Sequence, residues 1–594
     1  MRAIGEERTG MSEGRHRDIQ PSWVAAGLMV LRARSWERLR FEVEYGLGHG
    51  TTSNAYLVQG DRTILINPPG ASFTEIFLNR LEAQCPIGEL DAVLLSHVNP
   101  NRVSTLKELM RLNPGLQVIV SNPAAQALEK LWQVEAQEAP IPPLDLKIIR
   151  TEESLDLGRG KVLQLLPTPI PRWPDGLCVL DEQTGWLLSD KFFAAHLCQD
   201  QIFDQGWTSF REDQRYYFDC VMAPQVRQVQ TVLAKFSRLP IQGYAPSHGP
   251  LIRYGLHDLT AAYVSWSDRQ LQQPQMVALL YASAYGSTAT IAEAIAQGIT
   301  KAGVRVEALN CEVESMDDIR RTLERCDGVV IGSPTLGGHA PTPIQTALGT
   351  ILATVARDKP VGVFGSFGWS GEAIDLLESK LKDAGFRLAF EPIRVRFKPT
   401  TATLKICEES GTDLAQALQR QRRQVSRQSS SKLQDSETEA TAQAVGRILG
   451  SLCVLTTQKE DVRSGMLASW VSQATFNPPG ISVAVARDRA VESLLHQGDR
   501  FVLNVLGEDK NLAIQKHFLK PFSPGADRLE GIESSPSDQG HPILAEAIAW
   551  LECRVANRME CGDHWLVYAV VESGQVQDPE VRTAIHHRKS GSYY

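Results

Sequence analysis

A chain of 594 residues, 43% apolar and 22% charged, is too long for a single hydrophobic core and is composed like an ordinary globular protein, so three or four domains are expected. Its formal net charge of −8 excludes a general affinity for nucleic-acid backbones, and no stretch is apolar enough for membrane insertion. Ten cysteines at 85, 178, 198, 220, 311, 326, 407, 453, 553 and 561, without a Cys-x-x-Cys pair, point to reduced thiols in a cytoplasmic protein.

In chain order, residues 1–29 are polar and charged and lack the apolar middle of a signal peptide, so a flexible lead-in is expected. Residues 30–268 mix strands and helices, with buried strands predicted at 63–66, 92–95, 118–120 and 185–188. After a break at Gln272-Gln273-Pro274-Gln275, residues 274–410 alternate apolar strand runs (276–281, 328–331, 360–364) with helical stretches (289–302, 316–324, 343–355). That alternation predicts a doubly wound α/β domain. Residues 411–441, with Arg420-Gln421-Arg422-Arg423-Gln424 and Ser429-Ser430-Ser431, are expected to be a solvated linker. Residues 442–594 carry short runs such as 480–486 and 501–506 between turn residues, as a mostly antiparallel β-barrel does. The chain is thus an α/β multidomain protein.

Two groups of residues carry chemistry. Leu94-Leu95-Ser96-His97-Val98-Asn99-Pro100-Asn101-Arg102 has the placement of a metal-binding loop after a buried strand, but a dinuclear site needs His or carboxylate two, four and five residues beyond His97. Those slots hold Asn99, Asn101 and Arg102, and an arginine stays charged and offers no lone pair to a metal. In the doubly wound domain, Ser283-Ala284-Tyr285-Gly286-Ser287-Thr288 follows a strand and opens a helix, as a phosphate cradle does. Two more loops, Gly332-Ser333-Pro334-Thr335-Leu336-Gly337-Gly338 and Gly365-Ser366-Phe367-Gly368-Trp369-Ser370-Gly371, leave the carboxyl ends of the next two apolar runs. Ligands of open parallel sheets bind at those ends, so the three loops describe a mononucleotide pocket with an aromatic platform.

These loops resemble the FMN-binding loops of flavodoxin. A metallo-β-lactamase-like αββα sandwich followed by a flavodoxin-like domain resembles the flavodiiron family, and Phe41 to Leu47, Gly50-Thr51-Thr52, Trp173-Pro174-Asp175 and Ala245-Pro246-Ser247-His248-Gly249 add to the likeness. Gly465 to Ala474, Asn477-Pro478-Pro479 and 501–506 resemble the flavin reductase family of split β-barrels, where Ser469, Ser472 and Asn504 would bond a flavin phosphate or ring. The basic tail His586-His587-Arg588-Lys589 is either a solvated end or a guide for a nucleotide phosphate. The fused order is similar to that of the three-domain flavodiiron proteins of oxygenic phototrophs.

The resemblance implies FMN in the middle domain, FMN or FAD in the last, NAD(P)H as donor and O2 as acceptor. It also implies a head-to-tail dimer in which one chain's FMN faces its partner's iron. In the family two irons are held by four His and three carboxylates. Carried over by position, His97 and His248 are kept, Asn99 and Asn101 replace carboxylates, Arg102 and Arg172 replace His, and Lys191 replaces the bridging Asp. Three formal negative charges become three positive ones, and a single like-charge pair 4 Å apart costs on the order of 4 kcal/mol even at an effective dielectric of ~20. No diiron is therefore expected, unless a one-residue slip makes Asp190 the bridge. The cations would instead hold water, an anion such as chloride, or ion pairs with Asp175, Asp181 or Asp190. The implied function is a diflavin subunit passing electrons from NAD(P)H towards O2 in a homo- or heterodimer with a ligand-complete paralogue. A stand-alone NAD(P)H:flavin or quinone oxidoreductase and a silent structural or regulatory partner stay open.

Overall fold

The computed structural model describes residues 17–36, 49–138, 140–284, 286–429, 440–460, 462–508 and 511–588, in two compact units that divide after Gln272. In the first unit one sheet runs β1 (Arg17–Ala25), β2 (Leu28–Ser35), β3 (Thr51–Gln59), β4 (Thr63–Ile66), β5 (Ala92–Leu94), β6 (Gln117–Ser121) and β7 (Asp145–Ile149) in that spatial order. β1 to β4 are antiparallel and β4 to β7 parallel. A second sheet has the order β12 (Gly243–Pro246), β11 (Trp186–Asp190), β10 (Leu177–Asp181), β9 (Val162–Pro167), β8 (Glu153–Asp156).

Alternation along the strands explains the layering. Val30, Tyr56, Ile64 and Leu94 of the first sheet pack against Leu163, Val179 and Leu188 of the second. Their neighbours Leu31, Leu57, Leu65 and Val93 face away, onto Phe77, Leu106 and Leu128 of the helices Thr74–Glu82, Pro100–Leu112 and Asn122–Glu138. The outer face of the second sheet is covered by Val229, Leu233, Tyr263 and Trp266 of the helices Val226–Phe236 and Leu256–Leu271. Two sheets with helices outside each is the expected αββα sandwich.

The lead-in expected over 1–29 is corrected from Arg17 onward. Arg17–Ala25 is an edge strand paired with β2, with Ile19 opposite Ala33. Polar ties fix it in place of an apolar stripe: the Arg34 guanidinium pairs with Asp18 at 2.6 Å, and Arg32 donates to Gln20 Oε1 at 3.0 Å. A polar edge strand has no alternating signature. Residues 1–16 and the 41–47 motif lie outside the described residues.

The second unit opens with β13 (Met276–Tyr281), β14 (Arg305–Asn310), β15 (Gly328–Pro334), β16 (Val361–Phe367) and β17 (Ile393–Arg396), all parallel in the order β14-β13-β15-β16-β17. Ala278 and Leu280 face one helical layer while Val277 and Leu279 face the other, so the run 276–281 is apolar throughout. The expected linker is corrected as well: Thr401–Ser429 is one helix. Its Cys407, Leu414, Ala415 and Leu418 form a buried stripe at helical spacing. It packs so closely on the helix Ser287–Lys301 that a Cβ on Gly298 would lie 1.8 Å from Glu408 O. Residues 430–439, the rest of the serine-rich stretch, lie outside the described residues.

The remaining strands are β18 (Gly450–Ser451), β19 (Cys453–Lys459), β20 (Val462–Ala468), β21 (Val471–Phe476), β22 (Pro479–Ala486), β23 (Arg500–Leu506), β24 (Ser534–Pro536), β25 (Pro542–Leu544), β26 (Ala547–Cys561), β27 (His564–Val576) and β28 (Ile585–His586). Seven of them form one antiparallel sheet, β20-β19-β23-β26-β27-β22-β21, wrapped on Leu455, Val483, Phe501 and Val567. The helix 401–429 joins this barrel to the doubly wound part through buried ions: Lys405 donates to Ala490 O at 2.7 Å, and Arg528 pairs with Glu409 at 3.2 Å. All ten cysteines are free thiols, and no helix among the described residues is long and apolar enough to cross a membrane.

Candidate functional site

At the carboxyl edge of the parallel sheet lies a cavity of about 730 Å³. Ser287, Pro334, Thr335, Leu336, Gly337, Ser366, Phe367, Gly368, Trp369 and Ser370, all predicted, line it. The helix Ser287–Lys301 aims its amino end there, capped by Gly286 at φ 84°, a conformation that suits glycine. Other predicted residues build the loops instead. Ser283 Oγ accepts from Ala289 N at 3.1 Å, the Thr288 and Ser366 hydroxyls bond at 2.8 Å, and Ser333 Oγ donates to Pro334 O. Ala284 adjoins that cap, Gly371 precedes the helix Glu372–Asp383, and Tyr285 lies outside the described residues. Gly338 of the second loop also lines it, and sequence reasoning missed Phe397 and Lys398. The available signal was the end of the fifth strand, too short and too charged to be recognised.

The cavity passes a test of fit for FMN. Thr335 Oγ1 is buried without a hydrogen-bond partner, a state that costs roughly 1–3 kcal/mol unless a ligand supplies the missing bond. Trp369 stands 90% exposed at the rim, as a ring platform must. The positive amino end of the helix at Ser287 suits a phosphate.

In the first unit main-chain bonds tie the loop after β5 to the start of β10, where Leu177 N donates to Ser96 O, and the loops after β11 and β12 to each other, where Ser247 N donates to Asp190 O and Ala195 N to His248 O. They bring His97, Arg102, Arg172, Lys191 and His248 into one pocket around Trp173. The Arg172 guanidinium lies 4.8 Å and the Lys191 ammonium 5.6 Å from the Trp173 ring centroid, and the His97 ring meets it edge-on at 5.9 Å. His248 Nδ1 donates to Thr52 O at 2.7 Å, which leaves Nε2 as acceptor for Lys191 Nζ at 3.3 Å. Burial, then Lys191, His196 and Arg102, hold His248 well below the usual imidazole range. His196, whose ring is 4.6 Å from that of His248 and whose Nδ1 lies 3.0 Å from Thr51 Oγ1, was missed because no motif marks it.

The replaced ligand positions have other tasks. Asn99 caps the helix Pro100–Leu112 by accepting from Asn101 N at 2.9 Å, and buried Arg102 reaches Asn67 Oδ1 at 3.4 Å. Of the three acids expected to compensate the cations, Asp175 pairs with His97 (2.9 Å) and accepts from Val98 N (2.8 Å). Burial alone would raise the Asp175 carboxyl, but His97 and these bonds hold it below its ordinary value. Asp181 is corrected: it pairs with Lys161 at 2.9 Å, both fully buried. Asp190 is bonded by the Ser247 hydroxyl at 2.5 Å, so Lys191 and not Asp190 faces His248, against a one-residue slip. Among the described residues no group of three or more His, Cys, Asp and Glu is placed to hold a metal ion, and the donor set does not fit a diiron centre.

This pocket predicts a pH dependence. Burial, opposed by Asp190 and reinforced by Arg102 and Arg172, lowers the Lys191 ammonium to about 8. The unfolded chain keeps it near ~10.4, so between those values the unfolded state binds more protons and stability rises with pH. The penalty is complete below about 8 and relieved above it. The group adds at most about 1.4 kcal/mol per pH unit in that window, and Lys191→Met is expected to remove the slope. Urea midpoints of the amino-terminal unit, wild type against variant, check this; parallel slopes contradict it.

In the barrel, Ser469 Oγ is buried without a partner, as a flavin contact would leave it in the unliganded chain. Ser472 is exposed on edge strand β21. The Asn504 amide donates to Val454 O and Thr456 Oγ1 and accepts from Leu544 N at 2.8 Å, so both its N–H groups are spent on tying strands together. The basic tail is not a loose end, since β28 pairs with β18 and Arg588 lies 4.9 Å over the Trp470 ring; Lys589 is outside the described residues.

Comparison with known proteins finds the ODP family beta lactamase over residues 51–249, flavodoxin over 279–411 and the flavin reductase like domain over 445–593. Diflavin flavoprotein A 6 of Nostoc sp. PCC 7120 is 54% identical, covering 98% of this chain and 100% of its own length. Diflavin flavoprotein A 3 of Synechocystis sp. PCC 6803 is 53% identical over 97% of this chain and 96% of its own. Among solved structures, the metal-soaked Flv1 flavodiiron core from Synechocystis is 52% identical with TM-score 0.66, covering 68% of this chain and 99% of that one.

Proposed function

Because the chain belongs to the flavodiiron family of diflavin flavoproteins, we propose that it is the electron-delivering subunit of a heterodimer. It is an oxidoreductase, and its family carries electrons through flavins towards O2. The proposal assigns the source to NAD(P)H and the reduction of O2 to water to the diiron site of a ligand-complete paralogue. This chain's own metal pocket would take no part. The observation that carries it is the convergence of Arg102, Arg172 and Lys191, where a metal needs carboxylate and imidazole.

FMN, when bound, supplies exchange of one or two electrons. Ser287 and the helix amino end would hold its phosphate, the Thr335 hydroxyl would bond it, and Trp369 would cover its ring. Ser469 would hold FMN or FAD in the barrel. In the other pocket, Lys191 and the guanidiniums repel a divalent cation, and His248 offers its one free lone pair to the Lys191 ammonium.

Coexpression with a ligand-complete paralogue tests the proposal. NAD(P)H-dependent oxygen uptake by the pair is expected to exceed the summed uptake of the separate chains, with water as product. Equal water-forming turnover by this chain alone contradicts it, and peroxide as its main product points to a stand-alone oxidoreductase.

A further inference from the structure

The loop after β17 belongs to none of the three motif loops, yet Phe397 and Lys398 line the same cavity. β17 alternates buried Ile393, exposed Arg394, buried Val395 and exposed Arg396. Continued alternation would turn Phe397 into the core. Instead its backbone takes φ 59°, left-handed, which a bulky aromatic seldom adopts, and its side chain is 56% exposed.

That conformation is held from outside. Phe397 N donates to Phe367 O at 2.8 Å, and Arg396 Nε donates to Gly368 O at 3.1 Å. The Arg396 guanidinium lies 5.3 Å from the Phe397 ring centroid. A Cβ on Gly368 would come within 3.4 Å of the Phe397 ring edge, so this ring packs over the very loop that carries Trp369. The core gains nothing from expelling a phenylalanine, whose burial would be worth roughly 1.5–3 kcal/mol. Strain held by neighbours at a cavity mouth is typical of ligand clamps.

We propose that Phe397 is a second aromatic wall of the flavin cavity, packing on the FMN ring system together with Trp369. It rests on the FMN site proposed above. Lys398, beside it in the lining, adds a positive charge to the cavity.

The test uses the full chain stripped of flavin, titrated with FMN and followed by induced visible circular dichroism. Trp369→Ala identifies the part of the signal that belongs to this cavity. Phe397→Gly, which removes the ring and relieves the strain, is expected to weaken FMN about tenfold or more, while Phe397→Tyr stays within about twofold of wild type. The melting temperature of the flavin-free Gly variant is expected to be unchanged or higher, which separates lost binding from lost folding. Wild-type affinity in Phe397→Gly, with Trp369→Ala impaired, overturns the second wall and leaves the FMN site standing. A wild-type chain without FMN affinity overturns both.

Discussion

Replacing Asn99→Glu, Asn101→Asp, Arg102→His, Arg172→His and Lys191→Asp together is expected to convert a pocket whose donor set does not fit iron into one that holds a diiron centre. The backbone frame is already present: main-chain hydrogen bonds fix the loop after β5 to the start of β10 and the loops after β11 and β12 to each other, and His97 and His248 sit on them. The five changes replace three positive charges by three negative ones around those two imidazoles. Partial replacement is expected to fail. Lys191→Asp alone still leaves two guanidiniums, and at an effective dielectric of ~20 each opposes a nearby divalent ion by several kcal/mol. The change at Asn99 has a price in stability, about 1 kcal/mol, because a good amino-terminal cap of the helix Pro100–Leu112 is lost. Elemental analysis of the fivefold variant and its partial forms checks the prediction. Iron in Lys191→Asp alone, or none in the fivefold variant despite a native fold, contradicts it.

The second large effect concerns Thr335. Thr335→Val keeps the shape of the side chain but removes a buried hydroxyl that has no partner within the protein. Two consequences of opposite sign are expected. Without flavin the variant should be as stable as wild type or more so, since an unsatisfied polar group has been taken out of the interior. FMN should bind about tenfold more weakly, since the ligand loses a buried hydrogen bond of roughly 1–3 kcal/mol. Thermal unfolding of the flavin-free chain and FMN titration measure the two. If the hydroxyl served only the fold, affinity would not move and stability would fall.

The alternating α/β stretch was legible because strands buried on both faces, such as 276–281, are apolar without interruption, and because its three ligand loops follow on such strands. The predicted loop residues Ser287, Thr335 and Trp369 all reach the cavity. Phe397 was not legible: its strand is four residues long and half charged, and its exposure depends on one positive φ that no residue type announces. Asn504 shows the opposite. Its amide suits a flavin on paper, but only the three-dimensional structure shows that β19 and β25 already use both ends. Asn99 and Asn101 could be read as lost ligands, while the capping bond between them could not. His196 reaches the basic pocket from a loop with no periodicity and no partner motif. The strand 17–25 and residues 411–429 of the long helix were mistaken for solvated segments because polar side chains cover them. What holds them is, respectively, ion pairs on a sheet edge and a thin buried stripe that includes Leu414, Ala415 and Leu418.

Iron and flavin per chain, measured by elemental analysis and absorption on the full-length protein expressed in iron-replete medium, bear most directly on the basic pocket. A chain that retains flavin but carries only trace iron is the predicted result. Stoichiometric iron bound between His97 and His248 would contradict it.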